Sequence, residues 1–281
     1  MLVRVASLYH WLQRWWLYAS LSILTIGIVA LGQPQLVRAA EWWQILIQGA
    51  QIIQLSNVSD AQEASLGAET NRSILNQVKL YRNPAVGSYI DSIGQRLARN
   101  SGRPNIRYTF QVVEDNAINA FATMGGYVYI NTGTIKAADN EAQLAGVIGH
   151  EIGHIAGKHS LQRVRQSAIA QGISSVAGVD RDRIVQMGVQ VALTLPNSRQ
   201  DEYDADRRGL TMLMQTGYAP SGLPEFMRKL ANSNSAPEFL SSHPAAGERA
   251  TRLQNMIPAA YRNRTEGLNA SVYKQNLRNF F

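Results

Sequence analysis

Residues 139–156 read DNEAQLAGVIGHEIGHIA, and this stretch decides how the chain is interpreted. Asp139 or Asn140 can cap the start of a helix, because a short polar side chain accepts a hydrogen bond from the backbone of the first turn. Apolar residues then recur at helical spacing. On such a helix His150 and His154 are four residues apart, so they lie on one face, one turn apart. The segment therefore predicts a helix that holds two imidazoles side by side.

The two histidines and the glutamate beside them have the spacing of a zinc site. Two imidazoles one turn apart can bind a single Zn²⁺ at about 2.0–2.1 Å each. Glu151 then projects beside the metal, where it can take a proton from a bound water instead of binding the ion. The alternative is a pair of histidines that face solvent or pack in a core. We interpret His150 and His154 as ligands of one Zn²⁺ per chain, and Glu151 as the catalytic base.

A catalytic zinc needs a third protein ligand, and the residues just after the motif do not supply it. In the extended motif H-E-x-x-H-x-x-G-x-x-H the last histidine is also a ligand. Gly157 is in place, but Ser160 stands at the ligand position. His159 comes one residue early, about 100° away around a helix. We therefore exclude the extended class and expect His159 to be structural or to support a ligand from outside.

A second, acidic segment offers the third ligand. Residues 198–206 read SRQDEYDAD, with Glu202 and Asp206 four residues apart. On a helix both face one way, so Glu202 can bind the metal while Asp206 accepts a hydrogen bond from the outer nitrogen of a ligand histidine. Acids on a helix are equally explained by contact with water, and spacing alone leaves both interpretations open.

The sequence motifs along the rest of the chain resemble those of a known family. HExxH followed about fifty residues later by ExxxD is similar to the gluzincins. Further matches narrow the resemblance to the HtpX- and BepA-like zinc metallopeptidases, family forty-eight of the metallopeptidases, which also contains the CAAX prenyl proteases. The matching pieces span roughly 55–257 and are, in chain order, Asn119–Phe121 with Gly125–Tyr129, Gly149–His154 with His159–Ser160, Ser198–Arg199 with Glu202 and Ala205–Asp206, Gly217–Pro220, and Ser242–Pro244 with Arg249. The resemblance implies a zincin-like (gluzincin) fold, with Glu202 as the third zinc ligand and Asp206 as the acid behind a ligand histidine.

The resemblance also gives a role to the segment before the active-site helix. It implies that residues 119–130 contain an edge strand that pairs with an extended substrate through its main chain. Asn119, Ala120, Gly125 and Gly126 are the expected substrate-binding residues. Backbone pairing carries no side-chain information, so such a strand would tolerate many substrate sequences. The alternative is an ordinary core hairpin.

His243 precedes Pro244 and therefore lies at a helix start. Three roles are open for it. It can act as a catalytic group that donates a hydrogen bond to an oxyanion. It can bind zinc as a fourth ligand and silence the site, or it can simply pack at the helix start.

Periodicity predicts the remaining architecture. Helices are predicted over 59–80, 83–100, 140–154, 202–215, 221–231 and 244–256, and strands over 106–112 and 127–130. Residues 160–195 also have a helical pattern and would form either a lid over the cleft or a core helix. The fold class is therefore α+β, mostly α-helical, with a small β-sheet beside the active-site helix.

The N-terminal segment 1–39 has the plan of a signal peptide or an uncleaved signal anchor. Arg4 and Arg14 precede the uncharged run 17–31, and all five tryptophans of the chain flank that run. A short apolar run after a positive flank is typical of a secretory signal, whereas interfacial tryptophans favour an anchor. Both alternatives export residues 40–281, the catalytic domain, across the inner membrane. The domain would then be periplasmic or anchored in the membrane.

Composition limits the other function classes. The 281 residues are 45% hydrophobic and 17% charged, as in an ordinary globular protein. The formal net charge is +7, and residues 1–39 supply three arginines and no acid, so about +4 remains for the rest. We expect no nucleic-acid partner, since no basic cluster interleaved with aromatics occurs. The absence of cysteine excludes disulfides, thiol catalysis and cysteine zinc sites.

These features predict a zinc-dependent endopeptidase whose partners are polypeptide substrates. By family resemblance, those substrates are unfolded or membrane-associated proteins of the cell envelope, cleaved in protein quality control. A peptidase restricted to chain ends would need an acidic pocket for the substrate amine, and none is evident near residues 125–130. The other alternative is a latent or inactive zinc-binding, chaperone-like module in which His243 closes the metal. The intact Glu151 argues against a dead enzyme.

Overall fold

The computed structural model of the protein describes residues 58–172, 181–233, 237–278 and 280. The predicted leader, residues 1–39, lies outside the described residues, so its interpretation stays a prediction. Among the helices that are described, none combines the length and the apolar character that crossing a membrane requires.

The described chain is mostly helical, with a small sheet. The helices are α1 (Asp60–Leu75), α2 (Pro84–Ala98), α3 (Thr132–Ala137), α4 (Glu141–Ala156), α5 (His159–Ala170), α6 (Arg181–Leu193), α7 (Arg199–Thr216), α8 (Gly222–Ala231), α9 (Glu238–Ser242), α10 (Ala246–Met256) and α11 (Ala270–Asn276). The strands are β1 (Thr109–Val113), β2 (Ala120–Thr123) and β3 (Tyr127–Asn131). The prediction of an α+β, mostly α-helical fold with a small sheet is confirmed.

Side-chain caps begin the helices that matter for the site. Asn140 accepts a hydrogen bond from the Gln143 backbone N–H at 3.0 Å and so begins α4. Ser198 does the same for the Asp201 N–H at 3.1 Å and begins α7. Each cap satisfies a backbone donor that has no partner within its helix. Local sequence therefore sets where both of these helices begin.

The prediction that the first helix continues to Leu80 is wrong. α1 ends at Leu75, residues 76–78 form a turn, and Leu80 then lies along the outer side of β1. Leu80 forms a bridge to Val113, and the Tyr81 N–H donates to the Val112 carbonyl oxygen at 2.9 Å. Pairing with the sheet satisfies these backbone groups, and it overrides the local preference for helix.

The sheet order is β1-β3-β2. β1 and β3 are parallel, whereas β2 and β3 form an antiparallel hairpin. β3 is thus paired on both sides, and within the predicted segment 119–130 it is β2 that lies at the edge. The tight turn between them contains Gly125 and Gly126 with φ of +78° and +98°, the left-handed region that favours glycine.

Helix α4 lies at the centre of the core, and every residue from 142 to 156 is buried. It packs against α2, α7 and α8 and against strands β2 and β3. A helix buried on all sides has no solvent face for a polar side chain. His150, Glu151 and His154 must therefore be satisfied by groups from other elements.

Helices α5 and α6 form a smaller apolar cluster with α1, which includes Leu66, Val164 and Met187. Both lie within the predicted helical segment 160–195, of which residues 173–180 are outside the described part. Their packing is that of core helices. The lid interpretation of this segment stays a prediction.

Helices α4 and α7 meet at glycines. A Cβ atom on Gly153 would lie 2.7 Å from the Ala205 carbonyl oxygen, and one on Gly209 would lie 3.0 Å from the His150 backbone nitrogen. Only residues without a side chain allow two helix backbones to come this close. This approach is what brings Glu202 of α7 to the histidines of α4.

We predict that Gly153→Ala destabilises the protein by about 1–3 kcal/mol, because the added methyl group overpacks a backbone contact. Gly87→Ala on α2 is the matched control, since nothing lies within 4 Å of the added atom. The control is expected to gain about 0.5–1 kcal/mol through helix propensity. Urea unfolding of the metal-free protein measures both free energies. Equal stability of the two variants would contradict the close contact.

Candidate metal centre

Four buried side chains from three parts of the chain converge on one point. They are His150 and His154 of α4, Glu202 of α7, and His243, which directly follows α9. Each can offer one ligand atom, and these four atoms all lie within 4.8 Å of one another. The predicted ligands are therefore brought together, and His243 joins them.

The distances between the ligand atoms fit zinc. His150 Nε2 lies 3.1 Å from His154 Nε2, and the two oxygens of Glu202 lie 3.5 and 3.2 Å from these nitrogens. His243 Nδ1 lies 3.2 Å from His150 Nε2 and 3.1 Å from Glu202 Oε1. Ligands of a tetrahedral zinc at 2.0–2.1 Å are about 3.3 Å apart, the edge of that tetrahedron. The nitrogen and oxygen donors are also those that zinc prefers.

Glu151 is fully buried beside this cluster, and within the described residues neither of its carboxylate oxygens has a hydrogen-bond partner. Burial raises the pKa of Glu151 above its usual range. Its Oε1 lies 3.5 Å from His243 Nε2. Buried polar atoms are nearly always satisfied. Two buried oxygens without a partner therefore fit a site that takes up a polar ligand, such as water carried by a metal.

The electrostatics of the cluster favour a cation. Burial raises the pKa of Glu202, but His243 and His150 outweigh burial and hold this pKa well below its usual range. Burial lowers the pKa of His150, yet the acids Glu202 and Asp206 outweigh it and raise that pKa to about 9. The pKa of His154 falls to about 3 because burial dominates. An ionised carboxylate among histidines is therefore ready to receive positive charge.

Asp206 lies directly behind His150, as predicted for the acid that supports a ligand. Its Oδ1 is 3.0 Å from His150 Nδ1. When Nδ1–H donates to this carboxylate, the lone pair of Nε2 is left facing the cluster. The acid thus selects the tautomer that can bind a metal.

His159 supports the second histidine in the same way. Its Nδ1 is 3.0 Å from His154 Nδ1, and its Nε2 is 3.3 Å from Asp204 Oδ2. If Nε2–H donates to Asp204, the Nδ1 of His159 can accept the outer proton of His154. His154 Nε2 is then free to face the cluster. The sequence left two roles open for His159, a structural one and the support of a metal ligand from outside. This geometry favours the support of His154.

The sequence reasoning assigned no role to two residues at the site: Arg249, which it named only among the matched positions, and Asn197, which it did not name. Arg249 is buried, and its Nε and Nη2 donate to the two oxygens of Asp206 at 2.8 and 2.7 Å, while Nη1 pairs with Glu202. Its place in the motif after Ser242–Pro244 is the one signal that could have found it. Asn197 Nδ2 lies 3.3 Å from His243 Nδ1, and no sequence pattern marks it.

The predicted substrate-binding residues divide into two pairs. Asn119 and Ala120 lie beside the cluster, since the Ala120 carbonyl oxygen is 3.2 Å from His243 Nε2. Gly125 and Gly126 belong to the turn after β2, where the Gly125 N–H donates to Glu63 Oε1 at 3.3 Å. The tight turn explains why glycine stands at Gly125 and Gly126, because both have positive φ. Their role in substrate binding stays a prediction.

The chain has relatives among named peptidases. Residues 84–257 match the family described as Peptidase family M48. The chain is 28% identical over 217 residues to the beta-barrel assembly-enhancing protease of Escherichia coli (strain K12), covering 71% of this chain and 45% of that protein. It is 27% identical over 230 residues to metalloprotease LoiP of the same organism, covering 76% and 88%. It is 26% identical over 179 residues to mitochondrial metalloendopeptidase OMA1 of Schizosaccharomyces pombe, covering 61% and 53%. The chain thus spans about half the length of the first of these relatives.

We predict that Arg249→Met destabilises the metal-free protein by about 3–5 kcal/mol, because it leaves two buried carboxylates without their cation. Arg252→Met on the same helix is the matched control. Its guanidinium is exposed and lies 4.4 Å over the Tyr203 ring, a contact that contributes about 0.5–1 kcal/mol. Urea unfolding followed by circular dichroism measures both. An equal loss in the two variants would show that the buried ion pairs contribute nothing.

Proposed function

The chain belongs to peptidase family M48, a family of metalloendopeptidases, and on that premise we propose that it is a zinc-dependent endopeptidase with Glu151 as its base. The zincin-like fold predicted from the sequence is confirmed by this membership. The observation that carries the proposal is the spacing of the ligand atoms at 3.1–3.5 Å beside the Glu151 carboxylate, which has no hydrogen-bond partner among the described residues.

In this proposal His150, His154 and Glu202 hold one Zn²⁺, and Asp206 and His159 orient the two histidines. When bound, the ion supplies Lewis acidity that activates water and polarises the peptide carbonyl. The chain's own contribution is a set of buried ligands held on two helices. Their outer nitrogens are already paired, so little reorganisation is needed when the metal binds.

Glu151 moves the proton in the reaction. Its carboxylate takes a proton from the attacking water as the water oxygen bonds to the peptide carbonyl carbon. Glu151 then passes that proton to the peptide nitrogen as the carbon–nitrogen bond breaks. The second water proton leaves on the new carboxyl group and passes to the amine, so the products are a carboxylate and an ammonium group, and Glu151 is restored. The burial that raises the pKa of this group suits a residue that must both accept and return a proton.

Strand β2 is the proposed binding edge for an extended substrate. Asn119 and Phe121 pair with β3, so the backbone groups of Ala120 and Ala122 face away from the sheet. Their carbonyl oxygens are contacted by His243 Nε2 and by the Ser160 hydroxyl, both at 3.2 Å. A substrate strand would replace these side chains with its own backbone groups. Such pairing supports broad sequence tolerance, as expected for cleavage of unfolded proteins.

We place the reaction in the cell envelope. The signal-like segment 1–39 supports export of a catalytic domain formed by residues 40–281, with membrane association through the N-terminus if the leader is retained. One relative, the beta-barrel assembly-enhancing protease, is named for the assembly of beta-barrels. The proposed substrates are unfolded or membrane-associated envelope proteins, cleaved in quality control.

We predict that the full-length, zinc-loaded protein digests casein and that Glu151→Gln lowers the rate about 10²–10⁴-fold, the contribution of a general base. The variant keeps its shape and its ligands, so it should still hold one zinc per chain. Glu114→Gln is the matched control, because this exposed glutamate pairs with Lys79 at the surface and its loss should leave the rate unchanged. Peptide release and zinc content by mass spectrometry are the two readouts.

Each outcome of this experiment is informative. Equal digestion by wild type and Glu151→Gln would remove Glu151 from the reaction. Zinc binding without digestion by the wild type would favour the latent module. A protein that binds no zinc would refute the central assignment.

A latent state is the second candidate, and the orientation of His243 supports it. His243 Nε2 faces the Ala120 carbonyl oxygen at 3.2 Å, so its proton can be donated there. The lone pair of Nδ1 then faces Glu202 and His150, at the fourth corner of the ligand set. One imidazole would thus occupy both the open metal position and the binding edge of β2. Of the three roles left open by the sequence, we propose that of a fourth ligand that closes the site.

We predict that His243→Ala raises the rate of casein digestion, because it frees the metal position and the Ala120 carbonyl together. Zinc content should stay at one per chain, since three ligands remain. A rate that falls about 10²–10³-fold would instead assign His243 to oxyanion stabilisation. An unchanged rate would leave it a packing residue.

A further inference from the structure

Asn197 lies in the loop between α6 and α7 and contacts the cluster of four candidate ligand side chains from outside. Its Nδ2 is 3.3 Å from His243 Nδ1 and 3.5 Å from His154 Nε2. The four cluster side chains are buried, whereas Asn197 is partly exposed. Asn197 thus contacts the cluster and has exposed surface of its own, so a peptide that reaches the cluster from solvent would pass this residue.

Arg163 determines which way this amide points. Its Nη1 donates to Asn197 Oδ1 at 2.6 Å. A guanidinium has donors and no acceptor, so the amide oxygen must face Arg163 and the NH₂ group must face the cluster. Arg163 is itself held by the carbonyl oxygens of Val191 and Leu195. The Asn197 backbone N–H donates to the Ser242 carbonyl oxygen at 3.0 Å. The amide is thus oriented before any substrate binds.

The atoms that the NH₂ group faces are the nitrogens with which His154 and His243 would bind a metal. A neutral imidazole has a single lone pair for an acceptor, and a bound metal takes it. The hydrogens of Asn197 Nδ2 then have no acceptor in either ring. They are left as free donors beside the place where the peptide reacts.

We propose that Asn197 is a further catalytic residue, whose Nδ2 donates a hydrogen bond to the carbonyl oxygen of the scissile peptide as negative charge develops there. This inference rests on the proposed endopeptidase function. The amide neither takes nor gives a proton, so the bonds made and broken are those described for Glu151. A preoriented donor costs no reorganisation when the charge appears, and loss of one such donor lowers kcat about 10²–10³-fold.

A positioning role is the rival explanation, because the same amide contacts His243 Nδ1 in the closed arrangement. If Asn197 only holds His243 in place, removing its side chain would free the site and raise the rate. The two roles therefore predict changes of opposite sign.

The test compares full-length, zinc-loaded wild type with Asn197→Ala and Asn197→Asp. Aspartate has the same shape and keeps a partner for Arg163, but ionised it cannot donate. The exposed Asn263→Ala is the control. The substrate is a casein peptide containing a cleavage site mapped with the wild type. A second readout needs no turnover: calorimetry of the phosphinic analogue of that peptide, in which tetrahedral phosphorus replaces the scissile carbonyl.

In both Asn197 variants we expect kcat to fall about 10–10³-fold while KM changes less than about threefold, because the lost contact is made only as charge develops. The affinity for the phosphinic analogue should fall in parallel. The aspartate variant should lose at least as much as the alanine variant, since its charge repels the developing oxyanion. Zinc content, the melting temperature and the Asn263→Ala variant should match wild type.

The inference is overturned if either Asn197 variant binds the phosphinic analogue as tightly as wild type, or if the alanine variant is faster. It is also overturned if Asn197→Asp folds, holds zinc and keeps full activity. A wild type that holds zinc but does not cut casein favours the latent module over the endopeptidase, and it overturns this inference with it. Normal cleavage by wild type and both variants refutes only the role of Asn197.

Discussion

Burial of two carboxylates on one face of α7 is the constraint on which the site depends. Glu202 and Asp206 lose contact with water, a cost that only close cationic or hydrogen-bonding partners can offset. Arg249 contacts both acids. His150 contacts Asp206 through Nδ1 and Glu202 through Nε2, and His243 contacts Glu202. These partners come from α4, from α10 and from the residue after α9. Satisfying the two acids therefore draws three separate parts of the chain to one point, and the ligand set is the result.

This arrangement requires α4 and α7 to come unusually close, which Gly153 and Gly209 permit. The ligands on these helices are held rigidly and are buried. The two residues that we propose meet the substrate are carried differently: His243 follows a helix of five residues, and Asn197 lies in a loop. In the proposed mechanism, two long helices thus hold the metal, whereas a short helix and a loop carry the residues that would meet the peptide. This division suits an enzyme whose site must both stay preorganised and open to an extended chain.

Much of the fold could be predicted from the sequence where the determining interactions are local. The caps at Asn140 and Ser198 and the helical spacing of α4 are such features. The end of α1 could not be predicted, because Leu80 pairs with Val113 of a strand more than thirty positions away. The role of Arg249, a position named only in the family match, could not be predicted for a related reason. Its burial makes sense only once two buried acids on another helix are known to face it.

The sequence by itself determined that His150 and His154 share a helix face with Glu151 beside them, because helical geometry makes residues four apart neighbours whatever surrounds them. Its motifs also pointed to Glu202 and Asp206. Tertiary structure alone decided which nitrogen of each histidine faces the cluster. It also decided that Arg249 pairs with both acids and that Asn197, from a loop, contacts the ligands. These are contacts across some forty to a hundred residues of chain. They depend on how close the helices pack and on which groups the core leaves unpaired, and neither quantity is encoded in local spacing.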